Sequence, residues 1–119
     1  MDTPADTAAI KDWHAHVYFT SGTRDRAATL RDWVEKRFTV RMDRWHEEKV
    51  GPHPQAMYQI AFGNDLFPTL VPFLALNRMG LTVLVHPNTK RERDDHLLHA
   101  LWLGAVLPLD ASVLRELAE

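Results

Sequence analysis

Cysteine is absent from this 119-residue chain. That gap removes disulfides, thiolate nucleophiles, zinc fingers and iron–sulfur ligation together. A metal site, if present, must be built from imidazole and oxygen. Serine is almost as scarce: Ser21 and Ser112 stand alone, neither inside a G-x-S-x-G elbow, so serine nucleophile chemistry has no support. The five glycines form no phosphate-cradling loop, and H-E-x-x-H is missing because His46-Glu47-Glu48 lacks its second histidine. Neither charge dominates, with 14 basic against 16 acidic residues. The basic residues are scattered, which argues against nucleic acid as a partner. No apolar run approaches a membrane span, and "MDTPADTAAIKDW" has no signal-peptide core, so a cytoplasmic protein without a membrane partner is expected. The length fits a single domain over 1–119, with residues 1–11 polar and frayed.

What the chain has in excess is histidine, seven in all. Their meaning depends on the elements that carry them. "WHAHVYF", 13–19, alternates like a strand and puts His14, His16 and Tyr18 on one face, opposite Trp13, Ala15, Val17 and Phe19. Ala27, Leu30, Val34 and Phe38 recur at helical spacing, predicting a helix over 24–37. Strands are predicted over 38–45, 56–62 and 81–85. Between the last two lies a helix capped by Asp65 or Thr69, with Pro68 and Pro72 near its start and Gly80 at its end. Thr89 and Glu92 have capping-box spacing, nominating a short helix that carries His96 and His99. Asp110 can cap a final helix with Val113, Leu114 and Leu117 inward.

The order β-α-β-β-α-β plus a helical tail is the α+β, ferredoxin-like split β-α-β arrangement: a four-stranded antiparallel sheet with helices on one face. The bare face invites a second copy, hence an expected homodimer. In this topology the first and fourth strands are antiparallel neighbours. His86, read as the end of the fourth strand before Pro87, therefore comes close to His14 and His16. Three imidazoles from two adjacent strands make a plausible metal half-shell. His53 sits in the stiff loop "GPHPQ", either a site wall or a connector. His96 and His99 share a helix face, with Glu92 and Asp95 as possible carboxylate partners. His46, beside Glu47 and Glu48, reads as surface.

"WHAHVYF", "GPHPQAMYQIAF", "LVPFLALNRMGLTVLVHPNT" and "DDHLLHALWLG" together resemble the DOPA 4,5-dioxygenase family of fungi and bacteria, in order and over roughly residues 13 to 110. Met79 and Lys90 depart from the family pattern where glycines are usual. The resemblance implies a ferredoxin-like fold and extradiol cleavage of a catechol by dioxygen with non-haem iron(II). It places the family's histidines at His14, His16, His53, His86, His96 and His99. The resulting expectation is a metal held by His14, His16 and His86, with His53 the next ligand. His96 or His99 is the acid–base or outer partner. No carboxylate is expected on the first or fourth strand, leaving Asp94, Asp95, Glu47 or Glu48 as possible sources. Arg41 and Arg78 are candidates for a substrate carboxylate. The rival expectation is a dimeric module of the same fold that binds a small aromatic ligand or a metal without oxygen chemistry.

Overall fold

A computed structural model describes residues 3–117. Alternating apolar positions build β1 (Asp12–Phe19), β2 (Arg41–His46), β3 (Ala56–Phe62), β4 (Thr82–Asn88) and β5 (Leu101–Leu103). Between them lie α1 (Arg24–Arg37), α2 (Phe67–Asn77) and the short α3 (Glu92–Leu97). The sheet has the order β2-β3-β1-β4-β5 with every neighbouring pair antiparallel. Four of its strands follow the split β-α-β plan, and the fifth extends the expected four-stranded sheet beyond β4.

The face toward α1 and α2 carries the main core. Ala15, Val17 and Phe19 of β1 pack with Leu30 and Val34 of α1 and Leu70 and Leu74 of α2. Burial of such side chains stabilises each by about 1.5–3 kcal/mol relative to exposure. The opposite face is divided. Toward one end, Tyr18, Met57 and Leu84 are covered by Ala100, Trp102, Leu107 and Leu109. The chain thus covers from within much of the surface that a second copy was expected to cover. Toward the other end, the same face carries the histidines.

Several boundaries differ from the sequence expectations, each for an identifiable reason. Phe38 is the extended C-cap of α1, so β2 begins at Arg41. Pro72 lies inside α2, where it forgoes the bond to the Pro68 carbonyl. β4 runs on through His86 and Pro87 to Asn88. β5 pairs only with Val83–Val85, so Pro87 has no strand on that side to receive its missing N–H. The Thr89–Glu92 capping box does not form. Asp95 takes Thr89 as donor through both its N–H (2.7 Å) and its hydroxyl (2.8 Å), and Glu92 accepts the Arg115 N–H at 2.9 Å.

The expected C-terminal helix is replaced by a single 3-10 turn, Ala111–Val113, which Asp110 does cap through the Ser112 N–H. The Arg115 backbone exchanges bonds with the start of α3, through Glu92 and Arg93 N–H, and so leaves the helical path. Leu114 is buried as expected, while Val113 and Leu117 are exposed. Of the stretch expected to fray, Thr7–Ala9 form a 3-10 turn and the Lys11 N–H bonds Asn88 at 2.9 Å. Met1 and Asp2 lie outside the described residues. Met79, the departure from glycine noted above, has φ +52°, a left-handed conformation that glycine adopts without a Cβ penalty.

Candidate metal centre

The site grows from one register. β1 and β4 place His14 directly opposite His86 and His16 opposite Leu84, so the two-residue strand period points all three imidazoles to one face. Each of the three offers a ring nitrogen within 4.8 Å of the others. His16 and His86 are buried, and their Nε2 atoms lie 3.1 Å apart. α3 lowers His96 onto this pair, its ring centroid 3.9 Å from that of His86. The loop between β2 and β3 folds His53 in from the other side, 4.2 Å from His16. Five histidines from four segments thus converge.

Burial sets their electrostatics. Desolvation pushes the His86 imidazole down to about 3 and that of His53 to about 4. It holds His16 well below the ordinary histidine value, with the neighbouring imidazoles adding to the effect. His14 is also lowered by burial, against the opposing pull of Asp12 and Asp43. The rings of His16, His53 and His86 are therefore neutral at neutral pH, the state that donates a lone pair to a cation.

The hydrogen bonds agree with a metal-holding role. His86 Nδ1 lies 2.9 Å from the Pro87 carbonyl and His96 Nδ1 lies 2.8 Å from the Glu92 carbonyl. A carbonyl only accepts, so each ring donates from Nδ1 and keeps its lone pair on Nε2, the usual outer support of a ligating histidine. The buried Nδ1 of His16 has no hydrogen-bond partner among the described residues. Imidazole nitrogens about 2.1 Å from a divalent ion lie about 3.0 Å apart at right angles and about 3.4 Å apart at tetrahedral angles. The His16–His86 separation of 3.1 Å falls between these limits. The residues fit a borderline divalent cation.

A carboxylate does stand on the first strand, contrary to expectation. β1 begins at Asp12, one residue earlier than the aromatic run indicated, so Asp12 shares the face of His14 and His16. It accepts from Asn88 Nδ2 at 2.7 Å. Of the expected carboxylate sources, Asp95 is buried and tied to Thr89. Glu47 is bound to Arg24 and Trp45 and, with Glu48, borders a different cavity. His99 is not part of the cluster. The Leu98 and His99 N–H groups both bond the Asp94 carbonyl, at 2.8 and 3.0 Å, which ends the helix before His99 and leaves that residue exposed.

Two cavities open beside the histidines and share His16, His53 and Gln59. One, of about 570 Å³, is bordered by Asp12, His14, His86 and His96. The other, of about 330 Å³, is bordered by Asp43, Arg44 and His46. His46, expected at the surface, is half-buried there. Arg41 and Arg78 border neither cavity, and Arg78 is engaged with the Leu81 carbonyl. Arg44 is the arginine that borders the smaller cavity. The irregular register between Met42 and Trp45 interrupts the alternation that would have shown which way it faces.

The sequence matches the Dopa 4,5-dioxygenase family over residues 13–113. The chain belongs to this family. Within it, the chain is 34% identical to a DOPA 4,5-dioxygenase of Amanita muscaria, over 85% of this chain and 48% of that protein. It thus spans about half the length of the Amanita protein. It is also 34% identical to a 21.2 kDa protein of Botryotinia fuckeliana, over 98% of this chain and 70% of that one. A crystal structure from Nostoc punctiforme, of a protein proposed to be a dioxygenase, superposes with a TM-score of 0.91 at 46% identity. It covers 92% of this chain and 96% of that one. The matched range contains all seven histidines.

Proposed function

We propose that this protein is an iron(II)-dependent extradiol dioxygenase that opens the ring of DOPA or a related catechol with dioxygen. The observation that carries this reading is the convergence of neutral, buried histidines on β1 and β4 in a chain of the Dopa 4,5-dioxygenase family. His14, His16 and His86 would hold the metal. Bound iron(II) supplies the one-electron chemistry by which triplet dioxygen reacts with a singlet catechol. In the net reaction, the ring C–C bond beside the diol breaks and both oxygen atoms enter the product, with no external reductant.

The chain's own groups prepare that reaction. His96, with Nδ1 bound to the Glu92 carbonyl, presents its Nε2 lone pair to the cavity and can accept a catechol proton. His99 is too far out to share this role. Arg44 stands where a substrate carboxylate would enter the smaller cavity. Met57, itself buried, borders the smaller cavity and gives it an apolar wall.

No helix among the described residues is long and apolar enough to cross a membrane, and we place the protein in the cytoplasm. The exposed side chains of Leu97, Leu98, Leu101 and Val106 support a homodimer through the β5 side, which sedimentation would test. Function is tested by loading iron(II) anaerobically, adding DOPA and then admitting air. A yellow ring-opened product with one O₂ consumed per catechol is expected, lost in His16→Ala and His86→Ala. Tight metal binding with no oxygen uptake on any catechol would favour a binding module of the same fold.

A further inference from the structure

Tyr18 follows His14 and His16 on the same face of β1, yet its side chain is turned into the second apolar cluster rather than into the cavity. It is 1% exposed and packs with Met57 and Leu84, its ring stacked on Trp102 with centroids 6.0 Å apart. Its hydroxyl lies 2.6 Å from His53 Nδ1. That contact is the one hydrogen bond the phenol makes among the described residues.

One proton lies between these two atoms, and the surroundings decide which group owns it. If His53 donated from Nδ1, the phenol O–H would be left buried with no acceptor, at a cost of about 1–3 kcal/mol. If the phenol donates, its O–H has an acceptor and the His53 Nδ1 lone pair has a donor. An ordinary phenol, ionising near about 10, keeps its proton at neutral pH. Tyr18 is therefore the donor and His53 Nδ1 the acceptor, and a neutral His53 must carry its own proton on Nε2.

This is the reverse of the situation at His86 and His96. There Nδ1 faces the carbonyls of Pro87 and Glu92, and Nε2 holds a lone pair. At His53 neither nitrogen has a free lone pair: Nδ1 is occupied and Nε2 is protonated.

We infer that Tyr18 is a positioning residue that fixes His53 as an Nε2–H donor facing the cavities and keeps it out of the metal's ligand set. His53 borders both cavities, so its N–H is placed to hydrogen-bond an oxygen of a molecule bound there. The tautomer follows from hydrogen bonding alone. That the oxygen belongs to a catechol rests on the function proposed above.

The experiment begins with ¹⁵N-imidazole-labelled, metal-free protein at neutral pH. Long-range ¹H–¹⁵N spectra should show His53 protonated on Nε2 and bare on Nδ1. Tyr18→Phe, which keeps the ring and its stacking, should convert this to a mixture of tautomers. Anaerobic iron(II) and zinc(II) titrations should then separate the histidines. His53→Gln and Tyr18→Phe should bind metal within about threefold of the parent, and His86→Gln should lose at least about 100-fold. In Tyr18→Phe at unchanged iron content, kcat should fall about tenfold with KM for the catechol little changed. A His53 proton found on Nδ1 in the parent protein would overturn the inference. So would a loss of metal in His53→Gln equal to that in His86→Gln. Should Tyr18→Phe fail to fold, the parent spectrum and the His53→Gln titration still decide. Neither depends on ring cleavage, so a protein inactive on every catechol would sink the proposed function and leave the tautomer assignment standing.

Discussion

Acidification should unfold the metal-free protein through its histidines, well before its carboxylates titrate. His16, His53 and His86 are neutral in the folded state because burial depresses them, His86 to about 3 and His53 to about 4. In the unfolded chain each returns to about 6.5. Above that value neither state binds the proton, and the stability is fully present. As the pH falls below it, the unfolded chain takes up protons that the folded protein refuses, and stability is lost down to the folded values. Lowering the pH from 7 to 5 then costs about 2 kcal/mol per histidine, or about 6 kcal/mol for the three. A domain of this length has roughly 5–15 kcal/mol in total, so the apoprotein should be close to unfolding at pH 5. Urea melts of chelator-treated protein between pH 7.5 and 5 measure the effect. His86→Gln removes one titrating group, and its loss over the same interval should be smaller by about 2 kcal/mol, whatever the substitution does at pH 7. A urea midpoint that stays flat from pH 7 to 5, or an unchanged pH loss in His86→Gln, would refute the reasoning.

Other substitutions test individual parts of the site and its support. Arg44→Ala should raise KM about five- to tenfold for catechols with a carboxylate tail, such as DOPA, and leave dopamine unaffected; equal changes for both would remove Arg44 from substrate recognition. Asp95→Ala leaves the Thr89 N–H and hydroxyl without their partner. It should cost about 1–3 kcal/mol in denaturant melts and increase hydrogen exchange around His96. Gly104→Ala places a Cβ at φ +90°, 3.0 Å from Arg78 Nη1 and 3.5 Å from the Leu81 carbonyl. A loss of about 1–2 kcal/mol is expected from thermal melts, with metal affinity unchanged because the residue lies past β5.

The parts of the fold that were legible in the sequence are those governed by local periodicity. The ranges of α1 and β3 follow from unbroken helical and two-residue patterns, and the antiparallel meeting of β1 and β4 follows from the topology they imply. That meeting brings His86 close to His14 and His16, and the register that sets His14 opposite His86 lies in the pairing itself. What stayed hidden depended on contacts distant in sequence or on a single residue at an element's edge. β5 is three residues long and follows "DDHLLHA", whose helical spacing extends naturally across it. Asp12 is a polar residue at the start of an aromatic run, and only its pairing with Asn88 makes it part of the strand. His99 has the right spacing from His96, but the double bond onto the Asp94 carbonyl ends the helix first.

The hydrogen-bond partners explain why residue type alone does not separate the roles we infer for His53 and His86. His53 and His86 are the same side chain, both buried, with ring centroids 4.2 and 5.1 Å from that of His16. What separates them is the atom facing Nδ1: a peptide carbonyl at His86 and a phenol at His53. The first leaves the Nε2 lone pair free for a cation, and the second, on our inference, makes Nε2 a donor. Pro87 adjoins His86 in the chain, so its carbonyl was within reach of a sequence argument. Tyr18 is 35 residues from His53, and it lies at the next same-face position of β1 after His16. The face that carries His14 and His16 therefore also carries the residue that we infer sets the tautomer of His53. Counting histidines cannot recover that division; tracing where each ring's second nitrogen sends or receives its hydrogen bond does.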